Sequence, residues 1–113
     1  MIKIYHNPRC RKSREALNFL EESGRDFKVI LYMQDKLTVE ELSALIKKLN
    51  IRTEDLIRKE EALWKTKFKL KNLGDNALIN LMIQEPRLMQ RPVVTLQDRA
   101  VIARPLEAIE QLF

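Results

Sequence analysis

The chain has 113 residues, of which 45% are hydrophobic and 33% charged, and its formal net charge is +5. This composition is typical of a globular protein with one core, so we expect residues 1–113 to form a single domain. No apolar run approaches the roughly 18 residues of a membrane span, and we expect no signal peptide. The single cysteine excludes an internal disulfide framework, which favours a reducing compartment and predicts a cytoplasmic protein.

The first third of the chain predicts a strand, a helix and a second strand. Ile2–Tyr5 is short and apolar, and Phe27–Leu31 is apolar and β-branched, as strands are. Between them, a helix is predicted from about Ser13 to Ser23, with Gly24 as its C-terminal stop. Its buried stripe consists of Ala16, Leu17 and Leu20. A strand, a helix and a strand within about 30 residues predict two parallel strands.

The middle of the chain is predicted to be helical. The capping-box pattern Thr38-Val39-Glu40-Glu41 opens a helix, and Thr53-Glu54-Asp55 opens a short second one. Residues 59–72 alternate like a strand but have no turn partner, so we expect a short helix and a loop. Another helix is predicted to start near Asp75 and to end before Pro86.

The end of the chain returns to β structure. Pro92–Leu96 and Arg99–Ala103 flank a turn at Gln97-Asp98 and predict an antiparallel hairpin. A last helix is expected from Pro105 to about Leu112. The predicted fold is therefore mixed α/β, with four strands and a helical insertion between the second and third.

Cys10 lies directly after the first predicted strand, at the start of the first helix. A helix N-terminus presents free backbone N–H groups and the positive end of its dipole, and both favour the thiolate. Four cations adjoin it in sequence: Arg9, Arg11, Lys12 and Arg14. Such surroundings predict a reactive nucleophile. The alternative is a small, buried and inert thiol.

Ser13 stands where the second cysteine of a C-x-x-C motif would be. Its hydroxyl can donate a hydrogen bond to a thiolate but cannot form a disulfide. If Cys10 does redox chemistry, the second thiol must therefore come from another molecule.

The run Lys65–Lys71 alternates lysines with apolar residues. Basic residues interleaved with aromatics can bind a nucleic-acid backbone. The interpretation we favour is a solvated lysine face over an apolar one, so we do not expect nucleic-acid binding.

Four segments together resemble the glutaredoxin-coupled arsenate reductase family. The first is His6-Asn7-Pro8-x-Cys10-x-x-Ser13-Arg14, and the second is Leu56-Ile57-Arg58-Lys59. The third and fourth are Gln90-Arg91-Pro92-Val93-Val94 and Arg104-Pro105. The resemblance implies a thioredoxin-like fold with a helical insertion. It also implies that the Arg91-Pro92 peptide bond is cis.

The resemblance also implies the site residues. Cys10 would be the nucleophile, with His6 and Ser13 supporting its thiolate, and three arginines would bind the oxyanion: Arg58, Arg91 and Arg104. Guanidinium groups suit this role because they bind tetrahedral oxyanions through several fixed donors and keep their charge. Residue types alone leave two alternatives open. His6 then caps the end of a strand, and Arg58 is an ordinary surface arginine.

The activity implied is that of a thiol-dependent reductase acting on arsenate or on a glutathione-linked substrate. No cofactor would be bound; glutathione would serve as the external reductant, and glutaredoxin would resolve the mixed disulfide. The alternative is an Spx-like redox-responsive transcription regulator that binds RNA polymerase. The missing C-x-x-C pair and the retained arginines favour the enzyme.

Overall fold

The computed structural model describes all 113 residues, Met1–Phe113, and divides them into two compact units. The first comprises Met1–Asp35 and Arg91–Phe113, and the second comprises Lys36–Gln90. The single domain expected from the sequence stays a prediction.

The first unit is built on a four-stranded sheet. The strands are β1 (Ile2–Tyr5), β2 (Phe27–Ile30), β3 (Val93–Leu96) and β4 (Arg99–Ile102), in the spatial order β2-β1-β3-β4. β1 pairs in parallel with β2 and antiparallel with β3, and β3 pairs antiparallel with β4. This mixed sheet, with helices between β2 and β3 in the chain, confirms the predicted thioredoxin-like α/β fold.

The core of the first unit lies against the sheet. Alternate residues of β1 are buried, as expected when one face of a strand packs on a core. Helix α1 (Arg11–Glu22) contributes buried residues three and four positions apart. The buried cluster consists of Ile2, Ile4, Ala16, Leu20, Val94, Ala103, Ile109 and Leu112.

Several boundaries of the first unit differ from the predicted ones by one or two residues. α1 begins at Arg11 rather than Ser13, because Cys10 is its N-cap and the Cys10 carbonyl accepts the Arg14 N–H at 3.0 Å. β2 ends at Ile30 because the next carbonyl, that of Leu31, accepts two turn hydrogen bonds. Gly24 follows α1 with φ +72°, which confirms the predicted stop.

The C-terminal helix is 3-10 rather than α-helical and spans Leu106–Leu112. Arg99 of β4 fastens it to the sheet, because its guanidinium donates to the carbonyl oxygens of Gln111 (3.3 Å) and Leu112 (2.7 Å). These hydrogen bonds link the last helix to the β3–β4 hairpin that precedes it in the chain.

The second unit is mainly helical, as predicted, and also contains an isolated antiparallel bridge between Ile57 and Met89. Helix α2 (Val39–Leu49) begins with the expected capping box, in which Thr38 and Glu41 exchange hydrogen bonds of 3.0 and 3.1 Å. Helix α3 (Asp75–Gln84) packs against α2 and against 3-10 turns at Thr53–Leu56 and Pro86–Leu88. None of the helices combines the length and apolarity needed to cross a membrane.

Leu20 provides a test of the core of the first unit, since it is fully buried. We expect Leu20→Ala to lower the free energy of unfolding by about 2–5 kcal/mol, because it leaves a cavity. Leu70→Ala is the matched control: Leu70 is 96% exposed, so its truncation should change stability by less than about 0.5 kcal/mol. Urea unfolding followed by circular dichroism measures both, and equal effects would contradict this packing.

Candidate active site

Cys10 lies at the junction between β1 and α1, where the sequence placed it. Its backbone is extended (φ −96°, ψ 123°), and its N–H donates to the Asn7 carbonyl at 3.0 Å. The residue is 7% exposed. The thiol therefore sits at the positive end of α1 and is almost covered.

Arg91 provides the direct partner of the thiol. Its Nε lies 2.9 Å from the Cys10 Sγ and donates to it. A second nitrogen of the same guanidinium, Nη1, is buried and has no hydrogen-bond partner. The contact joins two residues that are 81 positions apart, so the sheet, and not the local sequence, creates it.

The backbone around Arg91 is fixed by the sheet. The Arg91-Pro92 peptide bond is cis, as predicted, and the Pro92 carbonyl accepts the Ala103 N–H at 2.8 Å. The Arg104-Pro105 bond is also cis, a feature that the sequence does not predict. Both arginines thus lie where the β3–β4 hairpin meets its flanking segments.

Two opposing effects set the acidity of Cys10. Burial by itself would raise the pKa of the thiol, since it penalises the charged form. The backbone N–H of Ser13, the Arg91 guanidinium and the backbone N–H of Lys12 oppose it and bring the pKa of Cys10 below its ordinary value. The predicted bias towards the thiolate therefore comes from backbone donors and Arg91.

The cations adjacent to Cys10 in sequence make other contacts. Arg11 forms an ion pair with Glu15 at 3.3 Å, and the Arg14 Nη1 donates to the Pro8 carbonyl at 3.0 Å. Arg9 is exposed. The reactivity of Cys10 stays a prediction, and these contacts show that Arg11 and Arg14 are not the direct partners of its sulfur.

His6 and Ser13 form a buried pair beneath the Cys10 loop. The His6 Nδ1 lies 2.7 Å from the Ser13 Oγ, which also accepts the Asn7 N–H at 2.9 Å. The Ser13 hydroxyl thus binds His6 and Asn7, and it is the Ser13 backbone N–H that supports the thiolate. The sequence motif assigns Asn7 no role, although its position before Pro8 is a signal for a turn.

The charge of His6 follows from its burial. Burial lowers the pKa of His6 below its usual value, and the positive charge of Arg14 lowers it further, against a backbone interaction with Ser13 that raises it. The ring is therefore neutral near pH 7. As a neutral group, His6 serves to hold the loop through Ser13 rather than to supply charge.

The other two predicted arginines are Arg104, in the first unit, and Arg58, in the second. Arg104 is exposed and lies at the end of the β3–β4 hairpin, in a groove that also contains Lys12. Arg58 belongs to the second unit, where its side chain pairs with Glu61 at 3.2 Å and lies 3.7 Å from Glu60. Their roles as oxyanion ligands stay predictions.

The lysine run forms an exposed surface of the second unit. Trp64 and Phe68 belong to a π-helical turn, Trp64–Phe68, in which Trp64 is buried and stacks on Phe68 with ring centroids 6.4 Å apart. The Lys71 Nζ lies over the Phe68 ring at 5.4 Å. Because the aromatic faces are occupied, this arrangement favours a solvated lysine face over a base-stacking platform.

The model of the ArsC family matches residues 5–112 of this chain. The chain is 40% identical over 113 residues to the uncharacterized protein YfgD of Escherichia coli K12, covering 98% of this chain and 95% of that protein. It is 38% identical to an arsenate reductase of Neisseria meningitidis (96% and 95% covered). The structure of an arsenate reductase from Vibrio cholerae superposes with a TM-score of 0.93 at 36% identity, covering 99% of this chain and 97% of that one.

The Arg91 contact predicts how Cys10 ionises. In the wild type we expect a thiol pKa below the ordinary value of about 8.5. Arg91→Ala should raise it, because the variant loses the adjacent cation and leaves burial in place. Arg9→Ala is the matched control and should not change it. The pH dependence of iodoacetamide alkylation measures all three, and an Arg91→Ala pKa equal to that of the wild type would contradict this account.

His6 is the only histidine, so one NMR resonance reports its titration. We expect a midpoint below about 6.5, the value for an unperturbed histidine. Since the unfolded chain binds this proton at higher pH than the folded one, the His6 contribution destabilises the fold as the pH falls below about 6.5. Urea unfolding of the wild type and of His6→Gln, compared at about pH 5 and about pH 7.5, isolates this contribution. A midpoint at or above the unperturbed value would refute the assignment.

Proposed function

This chain belongs to the ArsC family, and on that premise we propose that it is a thiol-dependent reductase in which Cys10 attacks arsenate. The match of the family model to residues 5–112 confirms the family predicted from four short motifs. The observation that carries the proposal is the Arg91 guanidinium, which donates to the Cys10 Sγ at 2.9 Å and holds a second, unpartnered donor beside it.

The unpartnered nitrogen of Arg91 supports an oxyanion substrate. A buried donor without an acceptor costs about 1–3 kcal/mol, and more when it is charged. An arsenate oxygen that accepted the Nη1–H would remove this cost and would also place arsenic next to the sulfur. The same guanidinium would then stabilise the negative charge that develops on oxygen during the attack.

The first step forms a sulfur–arsenic bond. The Cys10 thiolate attacks As(V), and a hydroxyl group of the arsenate takes up one proton from solvent and leaves as water. Cys10 is suited to this step because its pKa is lowered without exposure to solvent. The buried His6–Ser13 pair keeps the loop, and with it the Ser13 N–H, in position.

The reduction uses a thiol from outside the chain, because Cys10 is its only cysteine. The glutathione thiolate attacks the Cys10 sulfur, a disulfide forms, and the sulfur–arsenic bond breaks. The bonding electron pair stays on arsenic, which becomes As(III) and leaves as arsenite. Glutaredoxin then takes the glutathionyl group by thiol–disulfide exchange and restores the Cys10 thiolate.

In this proposal no cofactor is bound, and the reductants are glutathione and glutaredoxin. Both belong to reducing compartments, which agrees with a cytoplasmic location. Arg104, on the segment after β4, is proposed as a further oxyanion ligand, as the family resemblance implies.

A coupled assay tests the function. With glutathione, glutaredoxin and glutathione reductase present, we expect NADPH consumption that depends on arsenate. Cys10→Ser should abolish it, because serine is a far weaker nucleophile. Arg91→Ala should lower kcat/KM by about 100-fold or more, the scale of a lost transition-state donor.

Arg9→Ala is the control variant of this assay, and it should keep wild-type turnover because Arg9 is exposed. Absence of arsenate-dependent turnover in the wild type, with tight binding of RNA polymerase in a pull-down, would overturn the reductase proposal. That result would favour the Spx-like regulator.

A further inference from the structure

We propose that a groove in the second unit docks an acidic segment of a partner protein, in which carboxylates flank an apolar side chain. We call it the lysine groove, because four lysines line it: Lys59, Lys65, Lys69 and Lys71. This surface is separate from the proposed reductase chemistry, since Cys10 takes no part in it.

The lysine groove combines an apolar base with a cationic rim. It has a volume of about 660 Å³ and lies entirely within Lys36–Gln90. Trp64 and Leu78 line its base and are 9% and 4% exposed, whereas all four lysines are exposed. The volume is within the range of ligand sites in proteins.

A π-helical turn determines which lysines line the groove. In this turn, Trp64–Phe68, the Lys69 N–H donates to the Trp64 carbonyl at 2.8 Å. Lys65 and Lys69 line the groove, whereas Lys67 between them does not. Side chains four residues apart on a helix share a face, and those two apart do not. The turn therefore divides the lysine run into two faces, and such turns are rare and frequent at functional sites.

The positive charge of the lysine groove is largely uncompensated. None of its four lysines forms an ion pair. The acid that lines the groove, Glu54, pairs with Arg52 at 3.1 Å. Arg52 also lowers the pKa of the neighbouring Asp55, and Lys59 adds to that effect. The groove thus presents clustered cations, to which an anionic partner is electrostatically complementary.

Leu70 indicates that the partner also carries an apolar side chain. It lines the lysine groove and is 96% exposed, between Lys69 and Lys71 in the chain. A single exposed leucine is ordinary on a protein surface. Here it adjoins the apolar base of the groove, so a partner side chain that covered it would remove apolar surface of both molecules from water.

The aromatic residues favour a peptide over a nucleic acid. Trp64 is buried and stacks on Phe68, and the Lys71 Nζ lies over the Phe68 ring at 5.4 Å. Neither ring thus offers an open face for a base, on which binding of single strands depends. A phosphate backbone would also leave Leu70 in water. Carboxylates beside an apolar side chain match both the lysines and the leucine.

The probe is a fluorescein-labelled peptide, blocked at both ends, in which glutamates flank one leucine. Full-length protein is added at about 0.15 M salt, where exposed charges more than about 8 Å apart are screened. We expect saturable binding by fluorescence anisotropy. Trp64 is the only tryptophan, so its indole N–H gives one resonance in ¹⁵N NMR spectra. That resonance should shift with the unlabelled peptide and give the same Kd.

Charge reversal tests the lysines. Lys65→Glu combined with Lys69→Glu should raise Kd about ten-fold, because two exposed attractions are replaced by repulsions. The matched control combines Lys28→Glu, on β2, with Lys67→Glu, and it changes the net charge equally outside the groove. Its Kd should stay within about two-fold of the wild type. Circular dichroism and thermal unfolding confirm that each variant is folded.

A second pair of variants tests the apolar contact. Leu70→Ser should raise Kd about five-fold for the leucine peptide and leave it unchanged for a peptide with serine in that place. Val39→Ser is the control: Val39 is 42% exposed at the start of α2 and does not line the groove. It should bind both peptides like the wild type.

Three results would overturn the docking proposal. They are a lack of saturable binding, equal losses in the two charge-reversal variants, and a Leu70→Ser effect that is the same for both peptides. An oligonucleotide of equal charge that bound more tightly through the same lysines would also overturn it and would assign the groove to nucleic acid. None of these measurements involves arsenate turnover, so the two proposals can fail separately.

Discussion

The hydrogen bond from Arg91 to the Cys10 sulfur is the interaction on which the site depends. A thiol that is 7% exposed would ordinarily stay protonated, because burial penalises the charged form. The guanidinium and two backbone N–H groups reverse that preference. The Cys10 thiol is therefore both buried and biased towards its charged form, two properties that usually exclude each other.

The central position of β1 in the sheet brings the thiol and the guanidinium together. β1 lies between β2 and β3, so the loop after β1 adjoins the segment that leads into β3. Cys10 comes from that loop and Arg91 from that segment. The His6–Ser13 pair beneath the loop is buried and neutral, and it fixes the Ser13 N–H without adding a competing charge.

The sequence predicted the order of the elements, the capping box at Thr38, the stop at Gly24 and the place of Cys10 at the junction of β1 and α1. These depend on local patterns, which a sequence carries directly. It attributed the state of Cys10 to its neighbours, whereas Arg11 and Arg14 bind Glu15 and the Pro8 carbonyl. The role of Arg91 came only from the family resemblance, because pairing across the sheet cannot be deduced from local spacing. The direction of the Ser13 hydroxyl likewise depends on His6, which only the folded loop brings within reach.

The distance along the chain between Cys10 and Arg91 has a consequence for biosynthesis. Cys10 leaves the ribosome early, and its guanidinium partner follows 81 residues later. Until β3 pairs with β1, the thiol lacks this partner and the ordered backbone donors, and it behaves more like an ordinary protonated cysteine. The bias of Cys10 towards the thiolate is therefore acquired late, together with the burial of its sulfur, when the last strands complete the sheet.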